Sequence, residues 1–274
     1  MSVSSVSGMT TASDMKDRYV LVTGGSSGIG AAIADEFAGR GANLVLVARD
    51  AGQLERTAAD LRERHGVTVL SVALALDRPG APRHLMEIVR EAGVEVEVLV
   101  NNAAVGSRAM VADSDPTRLR QLVDLNVGAL TELTTLLVAG MVHRGHGSVV
   151  NIASTGAYTP APVMAAYAAS KAYVLSFTRA LWAETRASGV RVVAVSPGQT
   201  QTPMNPRPGR DKRQPAQVAR TVLAALEGTG PAVVDGGRNK VATVLMCMVP
   251  ARLMATLALR MMARGGAAAT ASPH

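Results

Sequence analysis

The chain has a single cysteine, Cys247, among its 274 residues. An intramolecular disulfide is therefore excluded, and so is a zinc site built from cysteines. A reducing, cytoplasmic setting fits, and no metal is expected. Aromatics are also scarce, with two Phe, one Trp and four Tyr. No basic cluster is interleaved with them, so a base-stacking platform for nucleic acid has little to build on. Charged residues make up 18% of the chain against 48% hydrophobic. That balance belongs to a globular protein and excludes a disordered one. The net charge of +7 fits a basic surface that attracts an anionic cofactor or substrate better than it fits a nucleic-acid footprint. The start, Met1 to Ser13, has no basic region followed by an apolar one, so residues 1–14 are expected to be a disordered tail and not a signal peptide.

What is present is an alternation of short β-branched runs with helical stretches. Tyr19–Val22, Asn43–Val47, a stretch within Val67–Leu76, Val96–Val100, Ser148–Ala153, Arg191–Val195 and Ala232–Val234 are the expected strands. Helices are expected over Ala31–Arg40, Gln53–Arg64, Pro82–Glu91, a long segment after the Asp115-Pro116 cap, about Val163–Ala187, and Pro215–Leu226. Such alternation predicts an α/β fold: one doubly wound parallel sheet of about seven strands with helices on both faces. Residues 15–240 are expected to form the single catalytic domain, 241–264 a helical extension and 265–274 a disordered tail.

Three groups of residues point to chemistry. The segment Thr23-Gly24-Gly25-Ser26-Ser27-Gly28-Ile29-Gly30 lies between a strand and a helix. Gly24 and Gly28 permit a tight turn and close approach of backbone to a pyrophosphate, and Gly30 permits close helix–strand packing. An ordinary strand-to-helix loop is the competing reading. About 20 residues on, where an acidic residue would hold the ribose hydroxyls of NAD, stand Ala48 and Arg49. A guanidinium there suits a 2′-phosphate, which favours NADP(H) over NAD(H); alternatively Arg49 is solvated and Asp50 takes the ribose. Asp77 follows the third strand, where it either reaches an adenine amino group or forms a turn. Asn101 and Asn102 close the fourth strand at the carboxyl edge of the sheet, as ligand residues or as turn formers. Finally, Tyr167 and Lys171 are four apart on a helix and so share a face, with Ser154 at the end of the strand upstream.

Thr23-Gly24-x-x-x-Gly28-x-Gly30, Asn101-Asn102-Ala103-Ala104, Asn126, Ser154, Tyr167-x-x-x-Lys171 and Pro197-Gly198 resemble, in order and spacing, the short-chain dehydrogenase/reductase family over roughly Asp17 to Asp235. The resemblance implies an oxidoreductase that moves hydride between NADP(H) and a ketone or secondary alcohol. Tyr167 would be the proton donor, with Lys171 lowering its pKa and holding the nicotinamide ribose. Ser154 would bind the carbonyl oxygen, and Asn126 would hold a water that relays protons to Lys171. Thr23, Ser26, Ser27, Ile29, Asn102, Ala103, Pro197, Gly198, Thr200 and Thr202 would line the cofactor site. The family's usual second proline after Gly198 is replaced by Gln199, and Met204 to Pro215 is expected to be a mobile flap. A catalytically silent cofactor-binding regulator and a membrane-associated lipid- or steroid-type reductase are the alternatives. The resemblance also implies a homodimer or homotetramer, for which Leu122, Leu125, Leu133, Leu137, Val174 and Leu181 offer apolar surface unless they serve the core.

At the C-terminus, Val241 to Val249 is continuously apolar and ends at Pro250. Arg252, Thr256, Arg260 and Arg264 then recur every four residues along a Met- and Leu-rich helix. The proline and arginines argue against a membrane span of ~20 residues. Packing on the core, packing on another subunit, or peripheral contact with a membrane through 241–264 remain as readings.

Overall fold

A computed structural model describes residues 15–269 except 207, 208, 210 and 211, and the backbone alone over 261–269. The expected tail at 1–14, and residues 270–274 of the one expected at 265–274, lie outside the described residues, whereas 265–269 are helical. Seven strands form one sheet: β1 (Tyr19–Thr23), β2 (Asn43–Ala48), β3 (Val69–Ala73), β4 (Val96–Asn101), β5 (Gly147–Ile152), β6 (Val190–Ser196) and β7 (Ala232–Val234). Their spatial order is β3-β2-β1-β4-β5-β6-β7, and every pairing is parallel. The expected doubly wound α/β fold is what the chain adopts.

Alternate residues of each strand feed opposite faces of the sheet, and both faces are apolar. Val20, Val22, Leu44, Leu46, Val98, Val100, Val193 and Val195 pack with Ile33 and Phe37 of α1 (Gly28–Ala38) and with Leu54 and Leu61 of α2 (Ala51–His65). Val222 and Leu226 of α7 (Pro215–Glu227) complete that layer. Leu21, Val45, Val47, Leu99, Val149 and Val192 meet the other layer, which includes Leu85 and Val89 of α3 (Ala81–Glu91). It is completed by α5 (Leu130–Arg144) and α6 (Ala165–Thr185). A covered sheet needs such continuous apolar strands, because neither face meets water.

The order reverses between β1 and β4. Successive crossovers leave that crevice open at the carboxyl ends of the strands, which is where ligands bind in open parallel sheets. Helix α4 (Pro116–Val123) starts at Asp115, whose carboxylate accepts a hydrogen bond from Thr117 N at 2.9 Å. A π turn over Asp124–Ala129 joins it to α5. Pro116–Arg144 is thus long and apolar enough to cross a membrane by composition, but 44% of its most apolar window is buried within the fold.

Several expectations need correction. Helix α1 spans Gly28–Ala38 and not Ala31–Arg40: tertiary packing carries the helix through two glycines of low helix propensity. Leu122, Leu125, Leu133, Leu137, Val174 and Leu181 are all buried in the monomer. They serve the core and offer nothing to a partner; Val123, Val142 and Tyr173 are the exposed apolar residues on these helices. The C-terminal extension forms α8 (Gly237–Met248), starting before residue 241, and α9 (Ala251–Ala269), which continues past Arg264 through two glycines.

Candidate active site

The crevice is a cleft of about 1120 Å³ at the carboxyl edge of the sheet. One wall is the glycine loop. Gly24 N and Gly25 N both donate to Val47 O, at 2.7 and 3.2 Å, so β2 holds the loop against the sheet. From the other side, Thr57 Oγ1 donates to Ser26 O at 3.0 Å. Gly24 and Gly28 have φ of +67° and +57°, a backbone that side-chain-bearing residues rarely adopt. Gly30 has a different reason for being glycine: a Cβ there would overlap the Gly24 carbonyl. Ser27 occupies the N-cap of α1 without a side-chain cap bond. The first N–H groups of the helix thus remain available to an anion.

Of the residues expected at the cofactor, Gly24, Ser26, Ser27, Gly28, Ile29 and Arg49 line the cleft. So do Asn102, Ala103, Pro197, Gly198, Thr200 and Thr202. Thr23 and Gly30 do not. Thr23 is buried; its Oγ1 accepts from Asn102 N and Ala103 N, both at 3.0 Å, and donates to Val100 O. It ties the glycine loop to the end of β4. Asn102 completes the tie by donating from Nδ2 to Thr23 O at 2.9 Å. Asn101 points into the core, where its Nδ2 donates to Thr134 Oγ1 and Asn151 Oδ1. It braces β4, β5 and α5 and does not form part of the cleft wall.

Charged residues lie at the far end of the cleft. Arg49 is exposed at the tip of β2, and no hydrogen bond or ion pair engages it among the described residues. Asp50 also lines the cleft, and its Oδ1 accepts from Gln53 N at 2.8 Å and caps α2. Asp77 is outside the cleft lining, but its Oδ1 is buried and has no partner in the structure. Such an orphan acceptor is costly unless a ligand donor meets it, and an adenine amino group is a donor of the right kind.

Around the reacting end, Ser154 N-caps a short 3₁₀ turn, its Oγ accepting from Gly156 N at 3.1 Å. The Ser154 hydroxyl also hydrogen-bonds Tyr167. Lys171 is only 3% exposed. Its Nζ donates to Ile152 O at 2.7 Å and lies 5.9 Å from the centre of the Tyr167 ring. Burial pushes Lys171 down to about 8. Burial also pushes the Tyr167 phenol above its usual 10, with the Ser154 hydrogen bond pulling the other way. Desolvation is the larger of these two influences on Tyr167.

Asn126 lies in the π turn and its side chain is fully engaged. Oδ1 accepts from Val105 N at 2.9 Å; Nδ2 donates to Val105 O at 3.0 Å and Ser170 Oγ at 3.1 Å. Ser170 in turn donates to Tyr167 O at 2.7 Å. Asn126 therefore fixes the first turns of α6, which carry Tyr167 and Lys171. The remaining cleft wall includes Ala104, from the Asn101–Ala104 motif, and Met204, from the expected flap, together with Gly106, Arg108, Ala161 and Met164, which belong to no motif and left no signal in the sequence. Val163, just before α6, has φ of +56°. That is a rare conformation for a β-branched residue, and it lies beside the site. Of the expected flap, Met204 and Asn205 line the cleft. Lys212 Nζ donates to Asn205 O, and Arg213 pairs with Thr200, so both ends of the segment are held.

Comparison with known proteins agrees with this arrangement. The family description "short chain dehydrogenase" matches residues 18–213. An uncharacterised oxidoreductase of Staphylococcus saprophyticus is 29% identical over 78% of this chain and 93% of its own. The very-long-chain 3-oxoacyl-CoA reductase of Anas platyrhynchos is 30% identical over 76% of this chain and 68% of its own. A short-chain dehydrogenase from Sphingobium yanoikuyae in complex with NADPH superimposes with a TM-score of 0.75 at 30% identity, covering 85% of this chain and 96% of that one. Sequence match and shared tertiary structure together make this chain an oxidoreductase of the short-chain dehydrogenase/reductase family.

Proposed function

We propose that the protein is an NADPH-dependent reductase of an apolar ketone, with Tyr167 as the proton donor. The observation that carries the reading is the grouping of half-buried Ser154 and Tyr167 with buried Lys171 at the switch-point cleft, with no bond engaging Arg49 among the described residues at the tip of β2. When bound, the reduced nicotinamide would supply the hydride. Arg49 would hold the 2′-phosphate, the N-terminus of α1 the pyrophosphate, and Asp77 the adenine amino group. Ser154 would donate to the substrate oxygen, and Tyr167 would deliver a proton to it as negative charge develops. Burial favours the neutral phenol, which suits donation; withdrawing a proton from an alcohol would need the phenolate that burial disfavours. The neutral phenol supports reading the site as a reductase. Lys171 would hold the nicotinamide ribose and keep positive charge beside the phenol. Asn126, whose side chain bonds Val105 and Ser170, would position Tyr167 and Lys171.

Ala104, Gly106, Ala161, Met164 and Met204 give the remaining wall an apolar part, beside Ser107 and Arg108, and methionine adapts to varied shapes. A ketone carrying an apolar chain or ring fits such a wall, and the name of the relative from Anas platyrhynchos suggests the 3-oxoacyl class as the first to try. Assembly as a homodimer or homotetramer is proposed on the family's habit, with Val123, Val142 and Tyr173 as the apolar residues available to it. The deciding experiment is a screen of ketones followed by NADPH absorbance, run on the wild type and Tyr167→Phe. Acid–base groups contribute roughly 10²–10⁴-fold. Tyr167→Phe should fall by at least that lower factor while still binding NADPH. Retention of near wild-type turnover would refute the assignment, and no turnover of any ketone by the wild type would favour a silent cofactor-binding protein.

A further inference from the structure

We infer that α8 and α9 form an amphipathic arm that docks this protein on an anionic lipid surface. A surface helix ordinarily turns its apolar stripe inward, and α8 does the reverse. Val241, Val244, Leu245 and Met248 follow the i, i+3, i+4, i+7 spacing of one helix face, and they are 61%, 57%, 59% and 76% exposed. The inward side of α8 carries buried Thr243 and the polar Asn239, whose amide abuts Gly198 of the cleft wall. On α9, Leu253 and Leu257 stack at i, i+4 and are exposed. Beside them Arg252, Thr256 and Arg260 form a second exposed stripe at the same spacing.

Charge selects the occupant. Residues 236–274 contain no Asp or Glu, although the chain has 21 acidic residues, and they carry Arg238, Lys240, Arg252, Arg260 and Arg264. A second copy seated on this face would bring the arginines of one arm toward those of the other, with no carboxylate in either arm to pair them. An anionic leaflet supplies counter-charge in excess and accepts Val, Leu and Met at the boundary of its acyl chains. Arginine stems lie along apolar surface while their guanidinium groups reach the headgroups. Pro250 and the arginines make the arm one that lies on a membrane and does not cross it. Because the first turn of α8 leans on Gly198, docking would fix the cleft relative to the lipid surface. This inference is independent of the reductase reading.

The test is co-sedimentation of the full chain with vesicles of phosphatidylcholine alone and of phosphatidylcholine mixed with phosphatidylglycerol at roughly three to one. The protein should pellet with the mixed vesicles and stay in solution with the neutral ones, and salt should release it. Each surface cation contributes about fivefold, so Arg252→Gln with Arg260→Gln should weaken binding roughly thirtyfold. Val244→Ser with Leu245→Ser should abolish it. These positions are exposed, so NADPH binding serves as the control that the variants fold; the two vesicle types decide the matter in the wild type alone. A wild type that ignores both vesicles overturns the proposal, as does equal binding to both. So does an oligomer that Val244→Ser with Leu245→Ser dissociates in light scattering while no vesicle binding is seen, since a second copy would then cover the face.

Discussion

Replacing Lys171 with methionine should destroy activity and change stability in a way that depends on pH. Lys171 is buried, and among the described residues its hydrogen bond is to Ile152 O at 2.7 Å. Lowering its pKa from 10.5 to about 8 corresponds to about 3 kcal/mol that the fold spends on keeping the ammonium charged at pH 7. In the unfolded chain the lysine binds its proton up to its ordinary pKa, whereas in the folded chain it releases it near 8. Between those values the unfolded state holds more protons, so stability contributed by this group rises with pH. The wild type should therefore gain about 2–3 kcal/mol relative to Lys171→Met between pH 7 and pH 10, other titrating groups cancelling in the difference. At pH 7 the variant escapes the charge burial but leaves the Ile152 carbonyl without its donor, which costs about 1–3 kcal/mol. The two enzymes should thus be close in stability at pH 7, with the wild type ahead at pH 10. Urea denaturation of both proteins at several pH values measures this. Parallel stability curves would show that the Lys171 pKa is ordinary and would remove the basis for its role as a tuned cation.

The same titration should appear in catalysis: the reduction rate should fall as pH rises through about 8, where the Lys171 ammonium is lost while Tyr167, pushed above 10, stays protonated; a rate flat to pH 10 would contradict it. Arg49→Ala should weaken NADPH binding by roughly 10–100-fold, the worth of a charged hydrogen bond, and leave NADH unchanged; equal NADPH and NADH dissociation constants in the wild type would refute the reading. Gly30→Ala should cost roughly 1–3 kcal/mol or abolish NADPH binding, since its Cβ would overlap the Gly24 carbonyl; an unchanged melting temperature together with unchanged affinity would show that the glycine loop yields.

The two-faced sheet was legible in the chain because parallel strands buried on both sides must be continuously apolar, and the runs from Val20 to Val195 are. The reacting residues were legible because their spacing is local: Tyr167 and Lys171 share a face by helix geometry alone, and Gly24 and Gly28 announce a turn by their freedom in φ. What the sequence by itself could not reach depends on long-range contact. Thr23 and Asn101 look like cleft residues, but only the approach of β1, β4 and β5 decides that they brace the walls. That Asp50 caps α2 through one oxygen while it and Arg49 both line the cleft is likewise visible only in the folded chain. The direction of the Tyr167 shift follows from desolvation, which exists only once α6 is packed on the sheet. Likewise, the leucines of α4, α5 and α6 and the valines of α8 are similar apolar patterns in sequence. Tertiary structure turns the first group into the core and the second toward solvent, because periodicity defines a face and only packing determines what that face meets.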